Sequence, residues 1–140
     1  MKLDAEVFLD AAYLIALALP GDQHHLPARH ISQTLNEART RIVTNRAVLL
    51  EVGNALSKIK YRPVAVSLLD AFEKTKLVKI IPVTEELSRV GWDLFRRRPD
   101  KEWSWTDCIS FFVMRERGIR QALTTDEHFE QAGFIALLRQ

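Results

Sequence analysis

The stretch VFLDAAYLIALALPG, residues 7–21, sets the pattern on which the chain folds. Its first three residues, Val7-Phe8-Leu9, form a short apolar run of the kind that makes a buried strand. Asp10 ends that run, and the residues from Ala11 to Leu19 favour a helix, which Pro20-Gly21 breaks. The stretch therefore predicts a strand followed at once by a helix, with an aspartate at the junction.

The rest of the chain repeats this alternation of short apolar runs and stretches with helical periodicity. Strands separated by helices need crossover connections, and strands that are apolar throughout indicate a sheet covered on both faces. The sequence thus predicts an α/β fold, a three-layer α/β/α sandwich around a short, mainly parallel sheet. The predicted helices are His30–Arg39, Arg46–Lys60, Pro63–Lys76, Thr84–Phe95, Ser104–Arg117 and Glu127–Ala132, and the further strands are Ile42–Thr44, Val78–Ile81, Gln121–Thr125 and Phe134–Leu138.

Composition sets the broad class of the protein. The chain has 140 residues, 47% of them hydrophobic and 27% charged, with a net charge of +2. These values predict a single domain over residues 1–140 with a real core. One cysteine excludes an internal disulfide framework. The charged N-terminus does not resemble a secretory signal, and no apolar run has the ~20 residues of a membrane helix, so we expect a cytoplasmic protein without a membrane partner.

Two aspartates follow predicted strands directly. Asp10 comes after Val7-Phe8-Leu9, and Asp126 comes after the run that ends at Thr125. Ligand sites in parallel α/β sheets lie beyond the carboxyl ends of the strands. Each residue alone is also a common helix cap or turn residue. Together they make the carboxyl edge of the sheet the place to expect chemistry.

Glu51 and Asp107 lie on predicted helices. Glu51 is close to the apolar stripe of Val48, Val52 and Ala55, where a buried carboxylate is costly unless something neutralises it. The carboxylate of Glu51 could instead reach solvent from the edge of the helix, or form an ion pair with an arginine such as Arg46. Neither arrangement would need a functional role.

Asp107 follows Ser104 by three residues, as in a capping box. It also shares a helix face with Phe111 and Met114. Capping and a functional role are compatible, because a helix that begins at the strand ends would direct Asp107 at the site.

If the four acids converge, they must take up protons, move apart or bind a cation. Two like charges ~4 Å apart repel by roughly 4 kcal/mol at an effective dielectric constant of ~20. A divalent cation removes this conflict. With oxygen donors and no His or Cys among the expected ligands, Mg²⁺ or Mn²⁺ is favoured over Zn²⁺. The hypothesis is then metal-dependent attack of water on a phosphodiester.

Four sequence blocks together resemble the PIN domain, and most closely its small stand-alone VapC toxins. The blocks are VFLDAAYLIAL (7–17), the Thr-Asn-x5-Glu-x2-Asn-Ala-Leu pattern (44–56), WTDCISF (105–111) and ALTTDEHFEQAGF (122–134). The order and spacing of the four acids fit that family over nearly the whole chain. The resemblance implies a Mg²⁺- or Mn²⁺-dependent ribonuclease with an α/β/α fold, an RNA substrate, a cognate antitoxin partner and a homodimer.

Carried over by position, the resemblance makes Asp10, Glu51, Asp107 and Asp126 the acidic quartet. Asp10 and Asp107 would bind the metal directly, and Asp126 would bind it directly or through water. Glu51 would hold a metal-bound water or orient the attacking one. Thr124 would support Asp126 by a hydrogen bond, and Asn45 matches a polar residue before the glutamate helix. The chain departs from the family at one position, because Ala11 replaces the usual Thr or Ser after the first aspartate.

A basic segment with aromatic residues is the main further candidate. Arg96, Arg97, Arg98 and Lys101 precede Trp103-Ser104-Trp105, a combination that can bind RNA through phosphate contacts and base stacking. A solvated helix end followed by core tryptophans explains the same residues.

The remaining candidates have simpler interpretations. Cys108 is expected to pack against its apolar neighbours and not to act as a nucleophile. His24, His25 and His30 are interpreted as solvated loop residues, and His128 as structural.

Two other classes of function compete with a nuclease. A PIN-like module that only binds RNA or protein would need no metal, and Ala11 is compatible with it. A different doubly wound fold, such as a phosphatase or a nucleotide binder, is the other. Asp10-Ala11-Ala12 lacks the second aspartate of aspartyl-phosphate phosphatases, and the chain has no G-x-G-x-x-G sequence.

Overall fold

The computed structural model describes residues 2–140 as five strands and seven α-helices that alternate along the chain. The predicted α/β architecture is confirmed. The strands are β1 (Glu6–Leu9), β2 (Arg41–Asn45), β3 (Val78–Ile81), β4 (Gln121–Leu123) and β5 (Ile135–Ala136). The helices are α1 (Ala11–Ala18), α2 (His25–Ala38), α3 (Arg46–Ala55), α4 (Arg62–Lys74), α5 (Glu85–Arg97), α6 (Trp105–Arg117) and α7 (Glu127–Gln131), and a 3₁₀ turn covers Leu137–Arg139.

The order of the strands creates a switch point between β1 and β4. All four strand pairings are parallel, in the order β3-β2-β1-β4-β5. From β1 the chain moves outward through β2 to β3, and then returns to the other side of β1 to form β4. Right-handed crossovers therefore put α1 to α4 on one face and α5 to α7 on the other. Ligand sites in such sheets lie at the carboxyl edge beside this point.

Burial of the central strand explains its composition. Val7, Phe8 and Leu9 of β1 are all fully buried, because helices cover both faces of the sheet. On the α5–α7 side, Phe111 meets Phe129 edge to face at 5.0 Å, and Trp103 at 5.1 Å. This packing fixes α6 and α7 against the carboxyl ends of β1 and β4.

Helix α2 begins five residues earlier than the sequence predicts. It starts at His25 rather than His30, and so includes Pro27 in its first turn. A proline is tolerated there because the first N–H groups of a helix have no partner within it. His25 and His30 are therefore helical, and Nδ1 of His25 lies 2.8 Å from the carbonyl oxygen of Ala16.

Helix α3 is shorter than predicted. The apolar repeat that extended the predicted helix to Lys60 is not buried at its C-terminal end. The helix stops at Ala55 rather than Lys60, and Ile59 is 90% exposed. The buried stripe runs through Val48, Leu49, Val52 and Leu56, while Ala55 faces solvent.

The last two strands are also shorter than predicted. β4 stops at Leu123, and β5 has two residues before the 3₁₀ turn. Membrane crossing requires a long apolar helix, and none of those found in residues 2–140 qualifies.

Candidate active site

Asp10 lies directly beyond β1 at the switch point. The backbone N–H of Asp10 donates to the carbonyl oxygen of Leu123 at 3.2 Å, which continues the β1–β4 pairing past the end of the strand. Asp10 occupies the N-cap position of α1, but its side chain makes no capping hydrogen bond. Its carboxylate is therefore free of the structural role that an aspartate often has there.

Thr124 connects Asp10 to Asp126. Its buried hydroxyl group donates to Oδ2 of Asp10 at 2.7 Å. The hydroxyl oxygen of Thr124 also accepts a hydrogen bond from the backbone N–H of Asp126 at 3.0 Å. The expected hydrogen bond between Thr124 and Asp126 is therefore made to the backbone N–H of Asp126, while the hydroxyl proton of Thr124 goes to Asp10. Although Ala11 removes the usual hydroxyl beside Asp10, Thr124 supplies one from the neighbouring strand end.

Burial makes the charge of Asp10 expensive. The residue is 7% exposed, and desolvation raises the pKa of Asp10 to about 7. The hydrogen bond from Thr124 opposes that rise, while the nearby charges of Asp107 and Asp126 add to it. Such a carboxyl group is ionised at neutral pH only in part, unless a cation stabilises it.

Asp107 is held by both a helix cap and a histidine. Ser104 and Asp107 form the predicted capping box, in which Oδ2 of Asp107 accepts the backbone N–H of Ser104 at 3.1 Å. The same oxygen lies 3.0 Å from Nδ1 of His128. Burial raises the pKa of Asp107 above its ordinary value, and the bonds from Ser104 and His128 counteract the rise.

Asp126 and His128 complete a compact group with Asp107. Oδ1 of Asp126 caps α7 by accepting the backbone N–H of His128 at 2.9 Å, and Oδ2 lies 3.4 Å from Nδ1 of that histidine. Ligand atoms of all three residues lie within 4.8 Å of one another. His128, interpreted from the sequence as structural, thus lies among the acids, because the first turn of α7 brings it back to the aspartate that caps this helix.

Glu51 lies at the rim of the site rather than on the buried face of α3. It is exposed, because the buried stripe of this helix follows Leu49 and Leu56. Desolvation still raises the pKa of Glu51; a hydrogen bond with Thr106 opposes the rise, and the charge of Asp107 adds to it.

Arg46 does not neutralise Glu51, since it pairs with Glu73 at 2.6 Å.

Asn45 fixes the start of α3. Its side-chain oxygen accepts the backbone N–H of Val48 at 3.1 Å, and its amide donates to Oγ of Ser110 on α6 at 3.1 Å. The residue is fully buried. Asn45 thus ties the helix that carries Glu51 to the helix that carries Asp107.

The site gathers negative charge without a compensating arginine or lysine. Within residues 2–140, no lysine or arginine forms an ion pair with Asp10, Glu51, Asp107 or Asp126, and His128 alone approaches them. Oxygen donors in this number and proximity suit a hard divalent cation, which would offset the repulsion. The chemistry of the donor set therefore fits a bound metal.

The side chains of the basic segment at the end of α5 mostly bond to neighbouring groups. Arg96 pairs with Asp93 at 3.5 Å, and Arg98 forms two 3.0 Å hydrogen bonds with Asp100. Arg98 and Lys101 also lie over the ring of Trp103, which is buried.

Arg97 donates to the carbonyl oxygen of Asp93 at 3.3 Å and remains exposed.

Comparison with known proteins places the fold. The sequence profile of the PIN domain matches residues 7–135. The chain belongs to the PIN domain family. This PIN domain is 30% identical over 129 residues to the 23S rRNA-specific endonuclease VapC20 of Mycobacterium tuberculosis, in strains CDC 1551 and H37Rv, covering 92% of this chain and 95% of the relative.

Solved structures agree with that assignment. The crystal structure of VapC20, described as a Sarcin-Ricin loop cleaving toxin, matches with a TM-score of 0.82 at 29% identity, covering 92% of this chain and 96% of that one. VapBC2 from Rickettsia felis, bound to a promoter DNA fragment, matches with a TM-score of 0.67 at 16% identity, covering 94% of this chain and 96% of that one. FitAcB from Neisseria gonorrhoeae matches at 0.62 and 15% identity, over 93% and 94%. The last two show the fold of the PIN domain.

Three contacts of the PIN domain site were not anticipated from the sequence. Ser110 follows Asp107 by three residues on α6, so its spacing could have indicated that it shares the Asp107 face. His128 follows Asp126 by two residues, but nothing in that spacing shows the ring turning back to Asp107. Thr106 meets Glu51 only because α3 and α6 approach each other from opposite faces of the sheet.

Proposed function

We propose that this PIN domain protein is a metal-dependent endoribonuclease that hydrolyses phosphodiester bonds in RNA. One observation carries the proposal: Asp107 and Asp126 lie together at the β1–β4 switch point, near enough to the buried Asp10 for both of their charges to raise its pKa, and no arginine or lysine among residues 2–140 pairs with the three acids. The identity with VapC20, whose name gives 23S rRNA as its target, supports RNA as the substrate.

The proposed cofactor is Mg²⁺ or Mn²⁺, held by Asp10, Asp107 and Asp126. When bound, the ion would offset the carboxylate charge and act as a Lewis acid on the scissile phosphate. Carboxylate oxygens favour these hard ions over zinc. The imidazole of His128 is engaged with Asp107, so we assign it to holding that carboxylate rather than to the metal.

The protein's own groups divide the remaining work. Thr124 fixes one oxygen of Asp10. Ser104 and His128 both bond to Oδ2 of Asp107, which leaves Oδ1 of Asp107 without a hydrogen bond from residues 2–140. Glu51 is exposed at the rim, and its raised pKa suits a group that orients water and accepts its proton.

The proposed RNA contacts outside the metal site are Arg96, Arg97, Arg98 and Lys101. Arg96 and Arg97 are exposed on the last turn of α5 and can exchange their present partners for phosphates.

We further propose that the protein is the toxin of a type II toxin–antitoxin pair, acting in the cytoplasm as a homodimer that binds a cognate antitoxin protein. The description of VapC20 as a toxin supports this role. Expression of the wild-type chain alone should then slow growth, whereas expression of Asp107→Asn should not. Equal toxicity of the two proteins would contradict a catalytic toxin.

An RNA cleavage assay tests the enzyme. The purified protein should cut ribosomal RNA in Mn²⁺, fail to cut in EDTA, and lose activity in the Asp10→Asn variant. Asp70→Asn is the matched control, because Asp70 is exposed on α4, away from the site. Undiminished cutting by Asp10→Asn would reject the proposed site, and a wild-type protein that binds no Mn²⁺ would favour a module that only binds RNA or protein.

A further inference from the structure

Three aromatic side chains form an exposed cleft between α5 and α6. Trp92 stacks on Phe95 with ring centroids 4.8 Å apart and planes 11° from parallel, and it meets Trp105 edge to face at 5.0 Å. Their exposed fractions are 40% for Trp92, 40% for Phe95 and 44% for Trp105. We call these three residues the aromatic cleft. Its rings contribute little to the core, so their exposure calls for another explanation.

The cleft is held in a fixed geometry. The indole N–H of Trp105 donates to the carbonyl oxygen of Ser88 at 2.9 Å, which sets the orientation of the ring. The space beside it has a volume of about 260 Å³ and is bordered by Trp92, Trp105, Ser88, Glu85 and Arg89. A flat ligand would therefore meet aromatic surfaces that are already positioned, with hydrogen-bonding groups at the rim.

The cleft and the carboxylate site share the start of α6. Trp105 and Asp107 are the first and third residues of this helix, about 3 Å apart along its axis and about 200° apart around it, so they lie on different sides of the helix start. Thr106, between them, is the residue that meets Glu51. A strand that continues from the carboxylates over Thr106 would pass to the other side of this helix start, where the cleft lies.

Its chemistry fits a nucleobase better than a second protein surface. Three aromatic side chains at this exposure offer on the order of 250 Å², well below the ~800 Å² per partner of a stable interface. Glu85 and Arg89, paired at 3.3 Å and largely exposed, place an acceptor and a donor at the rim. Unpaired bases are bound in this way, by stacking on aromatic rings and by polar contacts at their edges.

We propose that the aromatic cleft stacks an unpaired base of the RNA next to the cleavage position. The inference rests on the proposed ribonuclease function, which supplies the RNA strand at the neighbouring carboxylates. It adds a base-binding site to a groove otherwise described by phosphate and metal contacts. The cleft would then contribute to the choice of substrate by requiring an unstacked base.

Anisotropy of a fluorescein-labelled, single-stranded oligoribonucleotide, measured in EDTA, tests the cleft without any cleavage. Trp92→Leu and Trp105→Leu should each weaken binding about tenfold, because a base–aromatic stack is lost. Trp92→Phe and Trp105→Phe keep a ring face and should retain most of the affinity. Ile59→Ala is the control for an exposed apolar residue elsewhere, and it should bind as the wild type does.

An abasic scan separates bases from phosphates. If the cleft holds a base, one abasic position in the oligoribonucleotide should weaken wild-type binding and leave Trp92→Leu unchanged. Equal RNA affinity of the folded leucine variants and the wild type would overturn the proposal. A change of oligomeric state in sedimentation, with RNA affinity unchanged, would overturn it as well. The anisotropy experiment measures RNA binding and no cleavage. A failure of the ribonuclease proposal would therefore be seen separately, in the cleavage assay with Asp10→Asn.

Discussion

The hydroxyl of Thr124 donates a 2.7 Å hydrogen bond to Oδ2 of Asp10, although the two residues are 114 positions apart in the chain. This bond joins the carboxyl ends of β1 and β4, the two strands between which the connectivity reverses. Because the same hydroxyl oxygen accepts the backbone N–H of Asp126, one side chain sets the positions of two acids. Thr124 is thus the residue through which the sheet organises the site.

Replacing Thr124 by valine should weaken metal binding. The variant keeps the shape of the side chain, removes the donor to Asp10 and leaves the N–H of Asp126 without its partner. We expect a loss of stability of about 1–3 kcal/mol and a fall of about tenfold or more in Mn²⁺ affinity, measured by urea unfolding and by calorimetry.

Thr44→Val is the matched control for this experiment. Thr44 is also fully buried, but its hydroxyl donates to the carbonyl oxygen of Leu9 at 2.9 Å rather than to an acid. It should lose stability and keep its Mn²⁺ affinity. If both variants bind Mn²⁺ equally well, Thr124 does not organise the metal site.

The pKa of Asp10 predicts how stability depends on pH in the metal-free protein. The folded-state pKa is about 7 and the unfolded value is close to 3.8, so the folded state binds more protons between these pH values. The free energy of unfolding should therefore fall as the pH rises from about 4 to about 7, by on the order of a few kcal/mol. Chemical denaturation in EDTA across this range measures the slope.

Asp10→Asn isolates the contribution of this one group. The asparagine cannot ionise and can still accept the hydrogen bond from Thr124, so the variant should show a flatter pH profile and exceed the wild type in stability at pH 8. The raised pKa values of Asp107 and Glu51 act in the same direction and leave a residual slope. A profile as steep as that of the wild type would show that Asp10 is not the buried acid responsible.

The elements that carry the acids could be predicted from local sequence, because local rules specify them. Asp10 follows a three-residue apolar run, and Ser104 with Asp107 spells a capping box three residues apart. These signals depend on neighbours in the chain. The order of the strands does not depend on neighbours in the chain, since the pairing of Phe8 with Ala122 joins residues that no local pattern connects.

The errors in the site arise from the same limit. A helical wheel placed Glu51 at a buried edge, but the phase of the stripe depends on which side of α3 meets the sheet, and Leu56 rather than Ala55 is buried. The contact of His128 with Asp107 depends on how α7 packs on α6. Such distances between elements depend on tertiary packing, which periodicity cannot supply.

Gly91 should be needed for the close approach of α5 and α6. A Cβ atom at this position would lie 2.5 Å from Cγ1 of Ile109 and 3.2 Å from its backbone nitrogen. Gly91→Ala should therefore destabilise the protein by about 1–3 kcal/mol in urea unfolding, through overpacking. Gly53→Ala is the control, because its nearest neighbour would be Leu69 at 4.0 Å and alanine favours the helix by about 0.5–1 kcal/mol. Two variants of equal stability would contradict the tight crossing.

His128 should act on the site by orienting Asp107. An ionised carboxylate only accepts hydrogen bonds, so Nδ1 of His128 donates to Oδ2 and leaves Oδ1 of Asp107 free to face the site. His128→Ala removes that bond, which allows the carboxylate to rotate and raises the pKa of Asp107 further. We expect about a tenfold loss of Mn²⁺ affinity by calorimetry, with a parallel fall in RNA cleavage.

The conservative variant distinguishes orientation from direct metal binding. The side-chain amide of His128→Asn can place a nitrogen donor near the position of Nδ1, so it should recover most of the Mn²⁺ affinity that His128→Ala loses. His30→Ala, at an exposed position on α2, should behave as the wild type does. If asparagine is as damaging as alanine, the imidazole itself is required. His128 would then have to bind the ion, since a hydrogen-bond donor alone would not suffice.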